Sequence, residues 1–387
     1  MPLWVRQEME ALPLSEYPLE IRWRDSGAIL ARFVIQYSCM YKPRFTITPQ
    51  VNLKIAEIER LRALVDTSNI LPTKEVVLRK RASIEATRSS TGIEGNPLNE
   101  HEVELILSGK KVSASDRFIT EVVNYKKALQ FIGKMARYER FSVKNILDLH
   151  AICMYDLLPA AKTGTFRKTP IYVVNIIGWK QIVRYTGPEP KIVPKLVDDL
   201  LAWLNEQKGN LHPILAAAIL HFEFVSIHPF ADGNGRVTRL LTLLYLFQHG
   251  YAFRNVLVPD TYYFEDRPRY YNALNQARQY DLQRKMDITP WVEYFVDGIA
   301  VAVKDITEKI TRVSVTRARG EVVTLTGDDY QIIDLVSMLK KAAVDDIIFA
   351  VKIPKRTIQR RLQYLVDNGL LLRKGKGRAT RYVLKVK

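Results

Sequence analysis

The sequence predicts a mainly α protein in which a β-hairpin interrupts the helical body and a second hairpin follows the last helix. Apolar residues recur at a spacing of three or four along most of the 387 residues, which is typical of helices packed on a core. Runs rich in β-branched residues are confined to a few short segments bounded by Gly and Pro. No segment of roughly 20–50 residues repeats, which argues against a solenoid.

The elements follow in order. The first 50 residues mix short β-type runs with Pro and Gly, and helices begin at Val51. Pro and Gly signals then bound helices at 74–95, 99–108, 115–138, 143–157, 192–207, 212–226, 234–249, 268–279 and 289–310, with the hairpin at 171–186. Asn99 is the candidate N-cap of the helix at 99–108. From Asp329 the pattern is three helices and a hairpin, and the third helix has an inner apolar stripe formed by Ile358, Leu362, Leu365 and Val366. On a soft prior of about 100–200 residues per domain, we divide the chain into 1–118, 119–318 and 319–387.

The charge is concentrated at one end of the chain. The formal net charge is +17, and residues 351–387 hold twelve Lys and Arg against Asp367 alone, so this segment carries +11 and the rest only +6. Such a basic segment favours an acidic partner, most simply nucleic acid. A solvated basic tail is the alternative.

Other counts exclude whole classes of protein. The two cysteines, Cys39 and Cys153, lie in unrelated segments and form neither a disulfide framework nor a zinc site. No apolar run reaches the roughly 18–20 residues of a membrane span. The first ten residues lack the basic and apolar regions of a secretory signal. We therefore expect a soluble, cytoplasmic protein without a membrane partner.

The densest chemical signal is a glycine-rich loop between two apolar helices. The segment Ile-His-Pro-Phe-Ala-Asp-Gly-Asn-Gly-Arg-Val-Thr-Arg spans 227–239. Gly233 and Gly235 can take positive φ and turn backbone amides inward at a helix N-terminus, where anions bind. Arg236 and Arg239 share a helix face, Asp232 offers a hard oxygen for Mg²⁺, and His228 can accept a proton. Together these residues predict a nucleotide-transfer site.

Simpler readings explain the parts but not the whole. Asn-Gly alone usually marks a tight turn. An Asp-x-Asn-Gly calcium loop would need a terminal Glu, and Leu243 stands at that position. Neither reading accounts for both arginines and the histidine together.

This segment resembles the signature of Fic proteins, His-x-Phe-x-[Asp/Glu]-Gly-Asn-Gly-Arg-x-x-Arg, with every fixed position filled. The resemblance implies a Fic-type helical core that transfers AMP from ATP to a Ser, Thr or Tyr hydroxyl of a target protein. It implies His228 as the general base, Phe230 as the anchor of the loop, and Mg²⁺ or Mn²⁺ on Asp232. It implies a nucleotide site formed by Asp232, Gly233, Asn234, Gly235, Arg236, Val237, Thr238 and Arg239. Related Doc-type kinases carry Lys where Gly235 stands, which favours AMP transfer over phosphate transfer.

Two further segments are similar to parts of the family. The hairpin resembles the flap that holds a target strand, with Ile182, Val183, Arg184 and Tyr185 at its edge. Tyr270 and Tyr271 lie where relatives border the adenine, although two core aromatics are an equally good account. Ser90 and Glu94 share a helix face and, as Ser-x-x-x-Glu-Gly, resemble the inhibitory motif. There the glutamate pairs with the second arginine, here Arg239, and blocks the γ-phosphate position. A surface glutamate is the alternative on residue type alone.

The C-terminal helices and hairpin resemble a winged helix-turn-helix. The third helix would enter the DNA major groove and the glycine turn at 374–378 would lie on the phosphates. The expected DNA contacts are Arg356, Thr357, Gln359, Arg360, Lys374, Lys376 and Arg378. A winged helix used for protein contact is the alternative.

The sequence thus predicts a self-inhibited protein adenylyltransferase, with ATP as co-substrate and a DNA-binding unit attached. Removal of AMP by the same site is also open, because some family members use the inhibitory glutamate to position water. A DNA-binding regulator that uses the Fic core only to sense nucleotide is the alternative function. The family often dimerises, so a homodimer is an open alternative to a monomer.

Overall fold

The computed structural model describes residues 41–387 except 69, 71, 137–141, 178–179, 314–324, 352, 376, 378–379 and 386–387. The early β-type runs, including Ile29–Tyr37, therefore lie outside the described residues. So do Lys376 and Arg378. Of the helices that the structure describes, none is both long and apolar enough to cross a bilayer.

Helices dominate the described chain, with two short hairpins. In chain order the helices are α1 Pro49–Thr67, α2 Pro72–Ile93, α3 Glu100–Leu107, α4 Asp116–Met135, α5 Val143–Cys153, α6 Val193–Glu206, α7 Pro213–Ile227, α8 Asn234–Gln248, α9 Asp260–Glu265, α10 Arg267–Leu274, α11 Tyr280–Gln283, α12 Thr289–Val313, α13 Gly327–Leu339, α14 Val344–Val351 and α15 Lys355–Asp367. The strands are β1 Tyr172–Ile177, β2 Lys180–Thr186, β3 Leu371–Lys374 and β4 Arg381–Leu384. The mainly α class is confirmed.

The helical pair α7 and α8 forms the centre of the main core. Nearly every residue of α7 is buried, as expected for a helix that is apolar on all sides. Pro213 opens it, and the ring of His212 accepts a hydrogen bond from the Ile214 amide at 3.3 Å. Trp291 of α12 donates its indole N–H to the Ala218 carbonyl at 2.8 Å. The loop between α7 and α8 is therefore mounted on the most buried helices of the described chain.

Helix α2 lies across this core and brings its C-terminal end to the same loop. It packs on α9 and α4, and its Ser89, Ser90 and Thr91 are buried. After a short turn, α3 begins with a complete capping box in which Asn99 and Glu102 bond each other's backbone amides. This cap is the one that the sequence predicts at Asn99.

The first hairpin is antiparallel and irregular. Val173 pairs with Tyr185 and Val174 pairs with Val183, so Arg184 is an extra residue that forms a bulge on β2. Tyr185 is buried and donates its hydroxyl hydrogen to the Ser226 carbonyl at 2.6 Å. This contact fixes one end of the hairpin to α7, while Ile182, Val183 and Arg184 stay exposed.

The C-terminal helices and hairpin surround a separate apolar cluster. Ile358, Leu362 and Leu365 of α15 are fully buried and Val366 is half-buried, which is the inner stripe that the sequence predicts. Ala342 exchanges two backbone hydrogen bonds with Tyr382 and so extends the hairpin β3–β4. Val76 of α2 belongs to the same cluster. The C-terminal unit is therefore docked on the helix that carries Ser90.

The predicted elements agree with the structure in order and type, and differ in detail. The sequence missed α9 and α11, which have six and four residues and are too short to show a helical period. Helix α2 ends at Ile93, so Glu94 lies in the following turn and not in the helix. The expected boundary at 118 falls in the first turn of α4, and the one at 318 lies outside the described residues.

Candidate active site

The loop that follows α7 is held in an unusual backbone conformation. His228 caps α7 with φ 51° and ψ 59°, a left-handed conformation that few residues other than Gly adopt. Gly233 has φ 82°, and a side chain there would collide with Met154. The side-chain amide of Asn234 also holds the loop: it accepts from the Phe230 N–H at 2.9 Å and donates to the Phe230 carbonyl at 2.8 Å. These constraints fix the direction in which His228 points.

The hydrogen bonding of His228 defines its tautomer. Nδ1 lies 3.0 Å from the Val225 carbonyl oxygen, which can only accept. Nδ1 therefore carries the proton, and in the neutral ring Nε2 carries the lone pair. The side chain is half-buried at the edge of the loop. This arrangement suits a general base whose accepting nitrogen is set in advance.

Arg236 is a buried cation with unused donors. Its Nη2 lies 3.6 Å from Asp232 and its Nη1 3.6 Å from Glu121 of α4. Nε and Nη1 have no hydrogen-bond partner within the described residues. Burial by itself lowers the pKa of Arg236, but the nearby carboxylates outweigh it and raise the pKa. A buried, charged guanidinium with free N–H groups fits an anion at the start of α8.

Arg239 is bound by three residues from outside the loop. Nε donates to the Ser90 hydroxyl at 2.7 Å, and Nη2 donates to the Ser90 carbonyl at 3.0 Å and to Oε1 of Glu94 at 2.9 Å. Nε also lies 3.2 Å from Asp260. Ser90, Glu94 and Arg239 are thus brought together, as the inhibitory resemblance implies. The Glu94 contact uses one nitrogen and is not bidentate.

Gly235 differs from its expected conformation. It lies inside α8 and does not have positive φ; among the loop glycines, only Gly233 does. Its lack of a side chain matters for a different reason, because a Cβ there would collide with the Glu94 carboxylate and lie 3.1 Å from Nη1 of Arg239. Gly235 therefore makes room for the Glu94–Arg239 pair.

The remaining predicted nucleotide residues are not equally placed. The side chains of Val237 and Thr238 are buried in the α8 interface, and Thr238 donates its hydroxyl hydrogen to the Asn234 carbonyl. Tyr270 is 1% exposed and its hydroxyl lies 2.9 Å from His221, so it packs in the core. Tyr271 is half-buried and its hydroxyl donates to the Ile93 carbonyl at 3.2 Å. Of the two tyrosines, only Tyr271 presents a surface near Glu94.

One flap residue also has a different role. The sequence places Tyr185 at the hairpin edge beside the nucleotide, but it is 3% exposed and anchors the hairpin to Ser226. Ile182, Val183 and Arg184 remain on the exposed part of β2. Residues two apart on a regular strand share a face, but the extra residue Arg184 breaks this pattern. Tyr185 is therefore buried while Val183, on the same strand, is exposed.

Sequence reasoning missed two residues that hold the loop. Arg167, 4% exposed, donates to the carbonyls of His228, Thr169 and Pro188 at 2.6–2.9 Å. Burial lowers its pKa to about 10. His150 accepts the Gly164 amide on Nδ1 at 2.9 Å, and its Nε2 lies 3.0 Å from the Asp232 carbonyl. It stacks on Phe230 with centroids 3.9 Å apart. Neither residue lies in a periodic or spaced motif, so only the tertiary structure reveals them.

The described residues offer one carboxylate, and no preformed cluster, for a metal ion. No group of three or more His, Cys, Asp or Glu in the described part of the chain is arranged as a ready-made metal site. Asp232 is a single carboxylate with its side chain 23% exposed beside the anion-binding N-terminus of α8. One carboxylate is what Mg²⁺ needs when it arrives with nucleotide phosphates and keeps several waters. The residues fit a metal carried by the nucleotide better than a resident one.

Residues 140–246 match the Fic/DOC family. The matched segment includes the whole of the 227–239 loop. "Protein adenylyltransferase Fic" of Drosophila grimshawi is 30% identical over 227 residues, which cover 57% of this chain and 42% of that protein. "Protein adenylyltransferase fic-1" of Caenorhabditis elegans is 32% identical over 211 residues, 53% of this chain and 37% of that protein. The chain spans less than half the length of these curated relatives.

Solved structures extend the likeness beyond the Fic domain. The crystal structure of a Fic family protein from Desulfovibrio desulfuricans matches with a TM-score of 0.59 and 28% identity, over 90% of this chain and 99% of that one. A Fic domain containing signaling protein from Bacteroides thetaiotaomicron, 22% identical with a TM-score of 0.56 over 69% of this chain and 100% of that one, supports the fold alone. The matched Fic domain runs from before α5 into α8, so Glu94, Asp260 and Tyr271 all reach the site from outside it.

Proposed function

We propose that this protein is a protein adenylyltransferase that moves AMP from ATP to a Ser, Thr or Tyr hydroxyl of a target protein. The observation that carries the proposal is the orientation of His228, whose Nδ1 is directed at the Val225 carbonyl so that Nε2 is the accepting nitrogen. A base fixed at the edge of an anion-binding loop suits deprotonation of a hydroxyl that attacks a phosphate.

The proposed reaction is a substitution at the α-phosphorus. The target hydroxyl oxygen forms a bond to that phosphorus, its proton passes to Nε2 of His228, and the bond to the bridging oxygen breaks to release pyrophosphate. The first-turn amides of α8 and the unused donors of Arg236 hold the phosphates. Asp232 would hold Mg²⁺ or Mn²⁺, which would supply charge neutralisation at the phosphates. Tyr271 is the proposed adenine neighbour, and Ile182, Val183 and Arg184 pair with the target segment.

Glu94 is the proposed inhibitory residue. Its carboxylate occupies a donor of Arg239 that would otherwise bind a terminal phosphate. ATP then has to displace an intramolecular carboxylate, and nucleotide bound without displacing it sits in an unproductive geometry. Removal of AMP by water is a second activity that the same carboxylate could support, because Glu94 lies at the site edge with its side chain 31% exposed.

Incorporation of α-³²P from ATP tests the transfer activity. We expect the Glu94→Gly variant to label itself, and His228→Ala in that background to abolish labelling. His249→Ala is the matched control, because His249 is the residue after the end of α8 and its Nδ1 also lies near a carbonyl, that of Tyr245 at 2.8 Å. No labelling of Glu94→Gly at saturating Mg²⁺-ATP, with nucleotide still bound, would favour the alternative of a nucleotide-sensing regulator.

We further propose that the C-terminal unit is a winged helix that binds duplex DNA. Arg356, Gln359, Arg360 and Gln363 lie exposed on α15, on the side opposite its buried stripe. Thr357 is half-buried and Lys374 ends β3 at the turn. Arg and Gln at a helix surface read base edges, and a basic turn neutralises phosphates. Protein contact through the same face is the alternative.

A salt titration of DNA binding separates these two roles. We expect the full-length protein to bind a mixed-sequence duplex with a steep salt dependence. Lys374→Ala, at the basic turn, should weaken binding and reduce the salt slope by about 1, because one phosphate contact is lost. Lys134→Ala, an exposed cation on α4, is the control that should change neither quantity. No binding at low salt would exclude the DNA proposal and leave the transferase proposal intact.

A further inference from the structure

Arg239 has a second carboxylate partner that neither the loop motif nor the inhibitory motif contains. Asp260 opens α9, and its Oδ1 lies 3.2 Å from Nε of Arg239. Both side chains are 1% exposed. The Tyr125 hydroxyl of α4 donates to the same Oδ1 at 3.3 Å. Asp260 is therefore built into the site from three elements.

The two carboxylates contact different nitrogens of the guanidinium. Asp260 lies at Nε, together with the Ser90 hydroxyl. Glu94 lies at Nη2, and Nη1 faces Gly235 in the loop. Glu94 and Nη1 both lie next to Gly235, so the Glu94 contact is the one made at the loop. Asp260 contacts Nε, the nitrogen nearest the arginine's own side-chain stem.

Burial and exposure also separate the two carboxylates. Glu94 lies in a turn with its side chain 31% exposed, so water can solvate it when it leaves Arg239. Asp260 is buried, and Oδ2 has no hydrogen-bond partner within the described residues. Moving Asp260 away would leave two unpaired charges in a dry environment, which is costly. Glu94 is the exchangeable partner, and Asp260 is the resident one.

We propose that Asp260 is the positioning residue of Arg239: it is the counterion that remains when Glu94 gives way to a nucleotide phosphate, and it keeps the guanidinium charged and oriented toward the loop. The role of this contact in catalysis rests on the proposed AMP transfer, whereas the experiments that test the contact measure only stability. Without Asp260, the departure of Glu94 would leave a buried arginine unpaired until a phosphate arrived, so the vacant site would not be preorganised.

The first test is a thermal double-mutant cycle in the full-length protein. Asp260→Asn should lower the Tm modestly when Glu94 is present, because one counterion remains. In a Glu94→Gln background the same change should lower the Tm by roughly 5 °C more, since the last carboxylate on a buried cation is lost. Inorganic pyrophosphate should restore stability most strongly in the double variant, because it supplies the missing anion.

The matched control is Asp329→Asn. Asp329 is another fully buried carboxylate paired with an arginine, Arg361, but it lies in the C-terminal unit. Its substitution should lower the Tm by the same amount with or without Glu94, and pyrophosphate should not correct the loss. A general effect of removing a buried carboxylate is thereby separated from the shared charge on Arg239.

In a second test the expected effect of Asp260→Asn on the Tm has the opposite sign. This test remains available if the first double variant does not fold. Arg239→Leu leaves Asp260 buried beside no cation, so adding Asp260→Asn should raise the Tm of that variant. A purely structural Asp260, needed for Tyr125 or for the start of α9, would lower the Tm in every background. Additive losses in the cycle, or a further loss in the Arg239→Leu background, would overturn the proposal. Neither readout needs AMP transfer, so an inactive Glu94→Gly variant would refute the proposed function alone.

Discussion

The Glu94→Gly substitution removes the contact between the turn after α2 and Arg239 of the nucleotide loop. It removes the carboxylate that accepts from Nη2 of Arg239 at 2.9 Å, and it leaves both Ser90 contacts in place. Asp260 still neutralises the guanidinium through its contact with Nε. The variant should therefore keep Arg239 in position and free the nitrogen that faces the nucleotide.

The magnitude follows from the contact that is lost. A hydrogen bond to a charged group contributes about 1.5–3 kcal/mol, and the partial exposure of Glu94 places this one near the lower end of that range. About 1.5–2 kcal/mol corresponds to a gain of roughly tenfold to thirtyfold in productively bound ATP. We expect the rate of automodification at subsaturating ATP to rise by that factor.

The assay is the initial rate of α-³²P incorporation across an ATP series with Mg²⁺ in excess. Glu94→Gln provides a second variant, because it removes the charge without adding the backbone freedom of Gly. Glu206→Gly is the control, since Glu206 is an exposed residue at the C-terminal end of α6. It should leave the rate unchanged.

Equal rates for the wild type and both Glu94 variants at every ATP concentration would refute the inhibitory role of this carboxylate. A rise in Glu94→Gly but not in Glu94→Gln would also contradict the reasoning, because it would assign the effect to turn flexibility and not to charge. The expected pattern is activation in both variants.

Three further predictions concern the supports of the site. Burial raises the pKa of Glu223 to about 7, so between about pH 4.5 and 7 the folded state binds more protons than the unfolded state. The free energy of unfolding should therefore fall as the pH rises through this range. Glu223→Gln should reduce this fall, as measured by denaturation at a series of pH values. Arg167→Leu should lower the Tm and the transfer rate together, because carbonyls of the His228 loop lose their donor. Tyr330 of α13 donates to Glu75 of α2 at 3.2 Å, so Tyr330→Phe should raise automodification slightly by loosening α2, and should have no such effect in the Glu94→Gly background.

Local sequence signals predict most of the described fold. The helical periods locate α1–α8, α10 and α12–α15 to within a few residues, because each helix buries a long apolar face. The capping residue Asn99 and the stripe of α15 depend only on near neighbours. Short helices such as α9 give no period, yet α9 supplies Asp260. The fold could be predicted wherever an element depends on residues close to it in the sequence.

The sequence by itself determined the chemistry of the 227–239 loop, because base, carboxylate, glycines and arginines all lie within thirteen residues and their spacing is meaningful on a helix N-terminus. Only the tertiary structure decided what each of these residues contacts. It placed Tyr270 and Tyr185 in the core, gave Gly235 the task of making room for Glu94, and brought Arg167 and Asp260 to the loop. The physical reason is burial: a charged group removed from water must be paired, and residues far away in the sequence supply the partners.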